Sequence, residues 1–260
     1  MPQAAQHASL VQRLGNKLSP HAVAGPAKRR FPDAVRDIAA DAEFLSLFEL
    51  CKPCTMTPIE RMYALYKGVE YIVARNIPGD VVECGVWRGG SSILAALALQ
   101  KFGDRSRKVY MFDTFDGMTA PSAKDRRFDG TAATDIFEDV KACASLEDVK
   151  ANICRAGVPE GRFVFVQGPV EDTIPSAGPR TVSLLRLDTD WYESTKHELH
   201  HLYPQLSDGG VLIIDDYGHW EGARKAVDEY FATVPDAPLM GRIDYTGRMA
   251  VKPASSRLKV

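Results

Sequence analysis

Two apolar segments of the chain, both of strand length, lead into aspartates. The first is followed by Asp188 and Asp190, and the second is followed by Asp215 and Asp216. Because parallel strands present their carboxyl ends at one edge of a sheet, two neighbouring strands would bring these four carboxylates together. Like charges at short range repel one another unless a cation lies between them. We therefore predict that Asp188, Asp215 and Asp216 bind a divalent metal ion.

Another group of polar residues surrounds the end of the first predicted strand. Glu83 lies near that end, Gly85 follows it, and Ser91 opens a helical pattern whose N-terminus would attract a carboxylate. The dinucleotide motif G-x-G-x-x-G is absent, because Glu83 stands where its first glycine would be and would repel a phosphate. An acidic residue favours a cationic group such as an amine. We expect these three residues to contact the amino acid end of a ligand.

Two further strand ends indicate a nucleoside. Asp113 ends the second predicted strand and lies roughly twenty residues after the glycines. In folds of this kind, an acidic residue at that spacing binds the ribose hydroxyls. The third strand leads into 167–172, where Val170 and Glu171 are expected to form a wall and a polar edge for the base. An amino acid joined to a nucleoside describes S-adenosylmethionine, and we predict that this cofactor binds here.

Apolar and polar segments alternate along the chain in a pattern that predicts an α/β fold. The predicted strands are 81–84, 109–112, 163–166, 182–187 and 211–214. Helical patterns lie between them, at 91–102, 146–156, 194–203 and 221–231. Strands that alternate with helices form βαβ units, so we expect a mostly parallel sheet with helices on both faces. A turn at Gly247 predicts an antiparallel C-terminal hairpin at one edge.

Composition excludes several classes of partner. The chain has 260 residues, and its 32 basic and 34 acidic side chains give a formal charge of -2, which offers no field for nucleic acid or an anionic membrane. The N-terminus lacks the continuous apolar core of a signal peptide. Five scattered cysteines do not suggest a disulfide framework. We therefore expect a cytoplasmic protein that binds a small molecule.

The N-terminal part of the chain is less regular than the rest. Residues 1–53 are predicted to form a helical arm or lid, which also hints at a homo-oligomer, in front of one domain at 54–260. The sequence Thr57-Pro58-Ile59-Glu60 matches a capping box and predicts a helix with Pro58 at its first position. The stretch 114–135 is the longest without a strand pattern, and it is equally consistent with a lid and with a solvated loop.

Several motifs, in the same order along the chain, resemble the macrocin O-methyltransferase (TylF/MycF-like) family. They lie at 55–57, 82–91, 113–118, 187–195 and 213–218. The resemblance runs from about Cys54 to Phe231 and implies a Rossmann-like class I methyltransferase with a seven-stranded sheet. It also implies magnesium-dependent methylation of a hydroxyl of a deoxysugar on a glycosylated natural product.

The resemblance assigns roles to individual residues. Asp190 would be the general base, and the three aspartates named above would hold Mg²⁺. The region of Met56 would contact S-adenosylmethionine, together with Glu83, Gly85, Ser91 and Asp113. The first 50 residues match no motif of the family, so the entrance that selects the acceptor is not assigned.

Three alternatives remain open from the residues alone. A catechol-like diol would also chelate magnesium through adjacent oxygens, so it could replace the sugar as the acceptor. His197 and His201 match H-E-x-x-H, with Glu221 as a further ligand, which would suit a zinc metallopeptidase. A non-catalytic nucleoside-binding protein is the third alternative, because a fold does not prove catalysis.

Overall fold

The computed structural model describes residues 35–254. Most of the predicted N-terminal arm therefore lies outside the described residues, and its role as a lid stays a prediction. One compact unit begins at Asp37 and contains the whole sheet. The residues 37–53, which we predicted as part of the arm, thus belong to the same unit as the cavity described below.

Seven strands form one mixed sheet. They are β1 (Asp80–Cys84), β2 (Val109–Asp113), β3 (Phe163–Gln167), β4 (Val182–Leu187), β5 (Leu206–Ile214), β6 (Gly241–Arg242) and β7 (Arg248–Val251). Their order across the sheet is β3-β2-β1-β4-β5-β7-β6. The first five strands run parallel, whereas β7 is antiparallel to both β5 and β6. The predicted mostly parallel sheet with an antiparallel C-terminal hairpin is confirmed.

Eight α-helices surround the sheet within the described residues. They are α1 (Ala42–Cys51), α2 (Ile59–Ala74), α3 (Gly90–Lys101), α4 (Ala133–Val140), α5 (Leu146–Arg155), α6 (Val170–Thr173), α7 (Tyr192–Leu202) and α8 (Glu221–Phe231). The short helices α4 and α6 were not predicted. No helix among residues 35–254 has the length and apolar character needed to cross a bilayer.

Helices cover both faces of the sheet, as predicted. Adjacent residues of a strand point to opposite faces, so Leu184 and Leu185 of β4 report on the two sides. Gly68 of α2 lies against the Leu184 side chain, whereas Leu185 belongs to an apolar cluster that includes Leu199 of α7. Every residue of β4 is buried, since the strand is central and covered on both faces.

The predicted capping box at the start of α2 is wrong. The helix begins at Ile59, and Pro58 is its N-cap residue rather than its first helical residue, without a side-chain capping hydrogen bond. The Thr57 hydroxyl instead accepts a hydrogen bond from Nη2 of Arg186 at 3.1 Å. A buried guanidinium therefore competes successfully for the oxygen that local sequence assigns to the helix terminus.

Candidate active site

A cavity of about 320 Å³ opens at the carboxyl ends of the parallel strands. Nine of the predicted site residues line it, namely Met56, Gly85, Asp113, Val170, Glu171, Asp188, Asp190, Asp215 and Asp216. The loops after β1 through β5 each contribute, which is the arrangement expected for ligand sites in open parallel sheets. The two predicted site residues that do not line it are Glu83 and Ser91.

Gly85 joins the two halves of the cavity. Its φ of +80° lies in the left-handed region, and a Cβ at this position would come within 2.0 Å of the backbone oxygen of Asp188. The loop after β1 can therefore approach the end of β4 only because residue 85 has no side chain. This contact places the predicted cofactor loop directly beside the first aspartate of the predicted metal site.

Asp188, Asp215 and Asp216 meet at one end of the cavity. In the pairing of β4 with β5, Leu187 lies opposite Ile214, so the residues that follow them emerge side by side. One oxygen of each of the three carboxylates lies within 4.8 Å of the other two. Within residues 35–254, these side chains are the group of three or more metal-ligating residues close enough to share an ion.

Two arginines that we did not predict stabilise these carboxylates. Arg186, fully buried in β4, donates to Oε1 of Glu83 at 2.5 Å, to Oδ2 of Asp188 at 2.7 Å and to Oδ1 of Asp215 at 2.5 Å. Arg61 of α2 forms an ion pair with Oδ2 of Asp215. Both oxygens of Asp215 therefore face a guanidinium. The sequence signal for Arg186 was a charged residue inside an otherwise apolar strand.

Glu83 and Ser91 lie beneath the cavity rather than on its surface. Glu83 is buried, and besides Arg186 it accepts a hydrogen bond from the Ser92 hydroxyl. Burial raises the pKa of Glu83, although Arg186 opposes this shift. The Ser91 hydroxyl contacts the sulfur of Met62 at 3.6 Å. The predicted contacts of both residues with a cofactor stay predictions, and the structure gives Glu83 an internal charge partner instead.

Asp190 occupies a constrained position beside the aspartate cluster. It is a non-glycine residue with a φ of +66°, and its Oδ1 accepts a hydrogen bond from Nε1 of Trp220 at 2.8 Å. Burial, together with the charge of Asp188, raises the pKa of Asp190 to about 7. Burial and the neighbouring Asp190 likewise raise the pKa of Asp216 well above its usual range. Trp220 therefore does more than pack: it fixes the orientation of the Asp190 carboxylate.

The opposite end of the cavity carries the predicted nucleoside contacts. Oδ2 of Asp113 accepts from the backbone N–H groups of Val86 and Trp87 at 2.6 and 3.0 Å, which holds the loop after β1 in place. Oε1 of Glu171 accepts from the Ser194 hydroxyl at 2.8 Å. Oδ1 of Asp113 accepts from the N–H of Phe115 at 2.8 Å, and both carboxylates lie on the cavity wall.

A buried aspartate ties the 114–135 stretch to the first residue of α7. Oδ1 of Asp125 accepts from the N–H of Tyr192, the first residue of α7, at 2.8 Å, and its other oxygen accepts from the backbone and hydroxyl of Ser122. Nε1 of Trp191 donates to the backbone oxygen of Thr119 at 2.8 Å. Sequence reasoning missed Asp125, because it lies in a charged run that resembles a solvated loop.

The H-E-x-x-H residues do not converge on a single point. Nε2 of His197 lies 3.0 Å from the backbone oxygen of Ile174, and its ring is tilted by 48° against that of His201. Glu198 is fully buried and accepts from the Thr189 hydroxyl at 3.0 Å. The glutamate thus faces the interior, and the structure offers no support for the peptidase alternative.

Comparison with known proteins agrees with this geometry. Residues 5–251 match the family model described as macrocin O-methyltransferase (TylF). The chain is 39% identical over 193 residues to the 8-demethyl-8-(2,3-dimethoxy-alpha-L-rhamnosyl)-tetracenomycin-C 4'-O-methyltransferase of Streptomyces olivaceus, covering 74% of this chain and 73% of that protein. It is 37% identical over 177 residues to the mycinamicin III 3''-O-methyltransferase of Micromonospora griseorubida, covering 68% and 69%.

Solved structures give the same result. The O-methyltransferase NovP aligns with a TM-score of 0.70 and 34% identity, covering 77% of this chain and 82% of that one. The calicheamicin methyltransferase CalS11, at 19% identity and a TM-score of 0.53, shares the fold. The predicted family and fold class are confirmed: the chain belongs to the macrocin O-methyltransferase family and is an O-methyltransferase.

Proposed function

We propose that the protein transfers a methyl group from S-adenosylmethionine to a hydroxyl of a deoxysugar on a glycosylated natural product, with the help of Mg²⁺. The observation that carries this proposal is the cluster of Asp188, Asp215 and Asp216 beside Asp190, in the same cavity as Gly85. Methyl donor and acceptor would then meet where the two ends of the cavity join.

The residues present fit a hard divalent cation. All three candidate ligands are carboxylates, and Mg²⁺ prefers oxygen ligands. Their oxygens lie within 4.8 Å of one another, close to the roughly 4.2 Å that separates opposite ligands around Mg²⁺. Oδ2 of Asp216 is buried without a hydrogen-bond partner among the described residues, as expected of an oxygen that has a further ligand to bind.

The other end of the cavity fits the cofactor. Gly85 leaves backbone exposed to a ligand, and the Asp113 carboxylate can accept hydrogen bonds from ribose hydroxyls. Val170 would pack against the base, and Glu171 would provide a polar edge. S-adenosylmethionine would supply a methyl group on its sulfonium sulfur. The acceptor oxygen would bond to the methyl carbon as the carbon–sulfur bond breaks. Membership in a methyltransferase family supports this assignment.

Asp190 is the proposed general base. A sugar hydroxyl is a weak nucleophile at neutral pH, and a bound divalent cation would lower the pKa of a neighbouring hydroxyl. Asp190 would accept the hydroxyl proton, since its carboxylate lies beside the cluster and Trp220 holds it in one orientation. The cavity walls would keep the acceptor oxygen in line with the methyl carbon, and such positioning contributes much of the rate.

The acceptor class rests on the relatives. Their names specify methylation of a rhamnosyl tetracenomycin and of mycinamicin III, and a further relative, from Streptomyces niveus, is a demethyldecarbamoylnovobiocin O-methyltransferase at 36% identity. These acceptors are natural products, and the first carries the sugar in its name. We infer that a glycosylated natural product is the acceptor here too.

The test is methyl transfer from labelled S-adenosylmethionine to these three compounds and to a simple catechol, with Mg²⁺ and with excess chelator. We expect transfer to a glycoside that stops on chelation and returns when Mg²⁺ is restored. Transfer that persists after complete chelation would remove the metal from the proposal. Preference for the catechol would replace the sugar acceptor.

A binding measurement isolates the metal site from catalysis. Calorimetric titration of Mg²⁺ should detect binding to the wild-type protein and none to Asp188→Asn. Asp139→Asn is the matched control, because Asp139 is an exposed carboxylate of α4 that does not line the cavity. Equal Mg²⁺ affinity in the two variants would show that the aspartate cluster is not the binding site.

A further inference from the structure

Three aromatic side chains form a cluster at the outer edge of the cavity. Phe128, His219 and Tyr245, here called the aromatic rim, have ring centroids 5.6 to 6.5 Å apart. Phe128 is 61% exposed and Tyr245 is 54% exposed. Such exposure is unusual for a cluster of large apolar rings and marks a surface that binds something.

The aromatic rim is continuous with the active site. His219 and Tyr245 line the same cavity as Asp188 and Asp190, and the His219 ring packs edge-on against Trp220 at 4.9 Å. Trp220 in turn holds Asp190. A molecule that reaches the aspartates with one end can therefore lie against the rim with the other.

Hydrogen bonds fix the rim in its present shape. The N–H of Phe128 donates to the backbone oxygen of His219 at 2.9 Å, which ties the 114–135 stretch to the loop after β5. The Tyr245 hydroxyl lies 3.1 Å from Nδ1 of His219, and Gly218 donates to the backbone oxygen of Thr246 at 3.0 Å. Three separate segments thus form a preorganised surface, and preorganisation lowers the entropic cost of binding.

The charges around the rim disfavour a diphosphate. Burial lowers the pKa of His219, and the guanidiniums of Arg127 and Arg61 lower it further. Arg127 is already paired with Asp129, and Arg61 is paired with Asp215 and with Asp244 at 3.0 Å. The Asp129 carboxylate, which is paired with Arg127, would repel a phosphate. An uncharged apolar group needs no unpaired cation and is not repelled by a carboxylate.

We propose that the aromatic rim binds the apolar aglycone of the acceptor while the sugar occupies the cavity. This inference rests on the proposed function and specifies its acceptor further. Stacking of apolar rings on Phe128 and Tyr245 would supply binding energy away from the reacting hydroxyl, where it positions the sugar.

The test compares Phe128→Ala and Tyr245→Ala with Leu239→Ala. Leu239 is 93% exposed and does not line the cavity, so its replacement controls for loss of an exposed apolar side chain. Each rim substitution should raise KM for the glycoside about three- to tenfold, the value of one aromatic contact, and leave kcat within about twofold. KM for the methyl glycoside of the same sugar, which lacks the aglycone, should not change in Phe128→Ala, because Phe128 does not line the cavity.

A direct binding measurement tests the role of the aromatic rim without depending on turnover. Calorimetric titration with the glycoside should show the same three- to tenfold loss of affinity in the rim variants and none in Leu239→Ala. Tyr245→Phe keeps the ring and loses only the hydroxyl contact with His219, so it should lose less affinity than Tyr245→Ala. A shared failure to fold would be visible as lowered thermal midpoints, but both replaced side chains are largely exposed.

Two results would overturn the inference. One is equal affinity of the rim variants and Leu239→Ala for the glycoside. The other is wild-type preference for TDP-rhamnose over the glycoside in both titration and transfer, which would favour a nucleotide sugar. Failure of the proposed function gives a different result, namely no methyl transfer to any acceptor, while the titrations still decide whether the rim binds an aglycone.

Discussion

Replacement of Trp220 by phenylalanine removes one specific interaction from the candidate active site. The indole N–H of Trp220 donates to Oδ1 of Asp190 at 2.8 Å, and a phenyl ring has no donor. Trp220 is buried, so no water is expected to take the place of the indole nitrogen. The variant keeps most of the apolar packing and lets the Asp190 carboxylate rotate away from the acceptor hydroxyl.

The size of the effect follows from the chemistry of the bond. A hydrogen bond to a charged group contributes about 1.5–3 kcal/mol, and about 1.4 kcal/mol corresponds to a tenfold change in rate. If that interaction orients the base in the transition state, Trp220→Phe should lower kcat roughly 10- to 100-fold. KM for the acceptor should change little, because the proposed role of Asp190 is to accept the hydroxyl proton and not to bind the aglycone or the cofactor.

Trp191→Phe is the matched control. Trp191 is equally buried and packs edge-to-face against Trp220 with ring centroids 4.9 Å apart, but its Nε1 donates to the backbone oxygen of Thr119. The control therefore loses a tryptophan and a neutral hydrogen bond from the same apolar cluster. Steady-state methyl transfer should show a much smaller fall in kcat for Trp191→Phe, while both variants lose similar stability in urea unfolding.

Equal kcat values in the two variants would refute the reasoning. That result would mean that Trp220 acts through packing alone, or that Asp190 is not the base. An increase in KM without a change in kcat would likewise assign Trp220 to acceptor binding.

Three further substitutions test the structure around the site. Arg186→Met would leave the buried Glu83 without a charged partner and would remove one of the two guanidiniums that face Asp215, so the free energy of unfolding in urea should fall by about 3–5 kcal/mol. Gly85→Ala would place a Cβ within 2.0 Å of the Asp188 oxygen, whereas Gly103→Ala, with a similar φ of +87° and nothing within 4 Å, has no such clash; only the first should abolish methyl transfer. Burial raises the pKa of Glu198 well above its ordinary value, so the folded protein retains that proton. The bound proton contributes its full stabilisation below the pKa of a glutamate in the unfolded chain, about 4.3. This contribution declines as the pH rises towards the pKa of Glu198 in the folded protein. Glu198→Gln, which cannot ionise, should therefore gain stability relative to the wild type as the pH rises above the unfolded pKa, as read from unfolding at each pH.

The sequence was sufficient to place the aspartates, because strand periodicity and the parallel arrangement are local signals. Once β4 and β5 are adjacent, the pairing of Leu187 with Ile214 brings Asp188 and Asp215 together without further information. The same logic located Gly85 and Asp113, since each follows a strand that ends at the same edge of the sheet.

The ion pairs could not be predicted in this way. Arg186 reaches Glu83 and Asp215 only because β4 lies between β1 and β5. The residues of a single strand do not determine the order of the strands in the sheet. Glu83 was therefore expected in the cavity, although its partner lies beside it in the sheet. Asp125 was missed for a related reason: it accepts a hydrogen bond from the N-terminus of α7, which is distant in sequence.

The buried charges at this edge of the sheet also explain why a cation is proposed. Two guanidiniums lie among six carboxylates there, which belong to Glu83, Asp188, Asp190, Asp215, Asp216 and Asp244. A carboxylate in apolar surroundings must pair with a cation or take up a proton. Arg186 and Arg61 satisfy the carboxylates nearest to them, whereas Asp190 and Asp216 chiefly have each other, and the pKa of both is raised. A shared proton relieves only part of this excess negative charge. A divalent ion among Asp188, Asp215 and Asp216 would relieve more of it and would leave Asp190 ionised, as a general base must be.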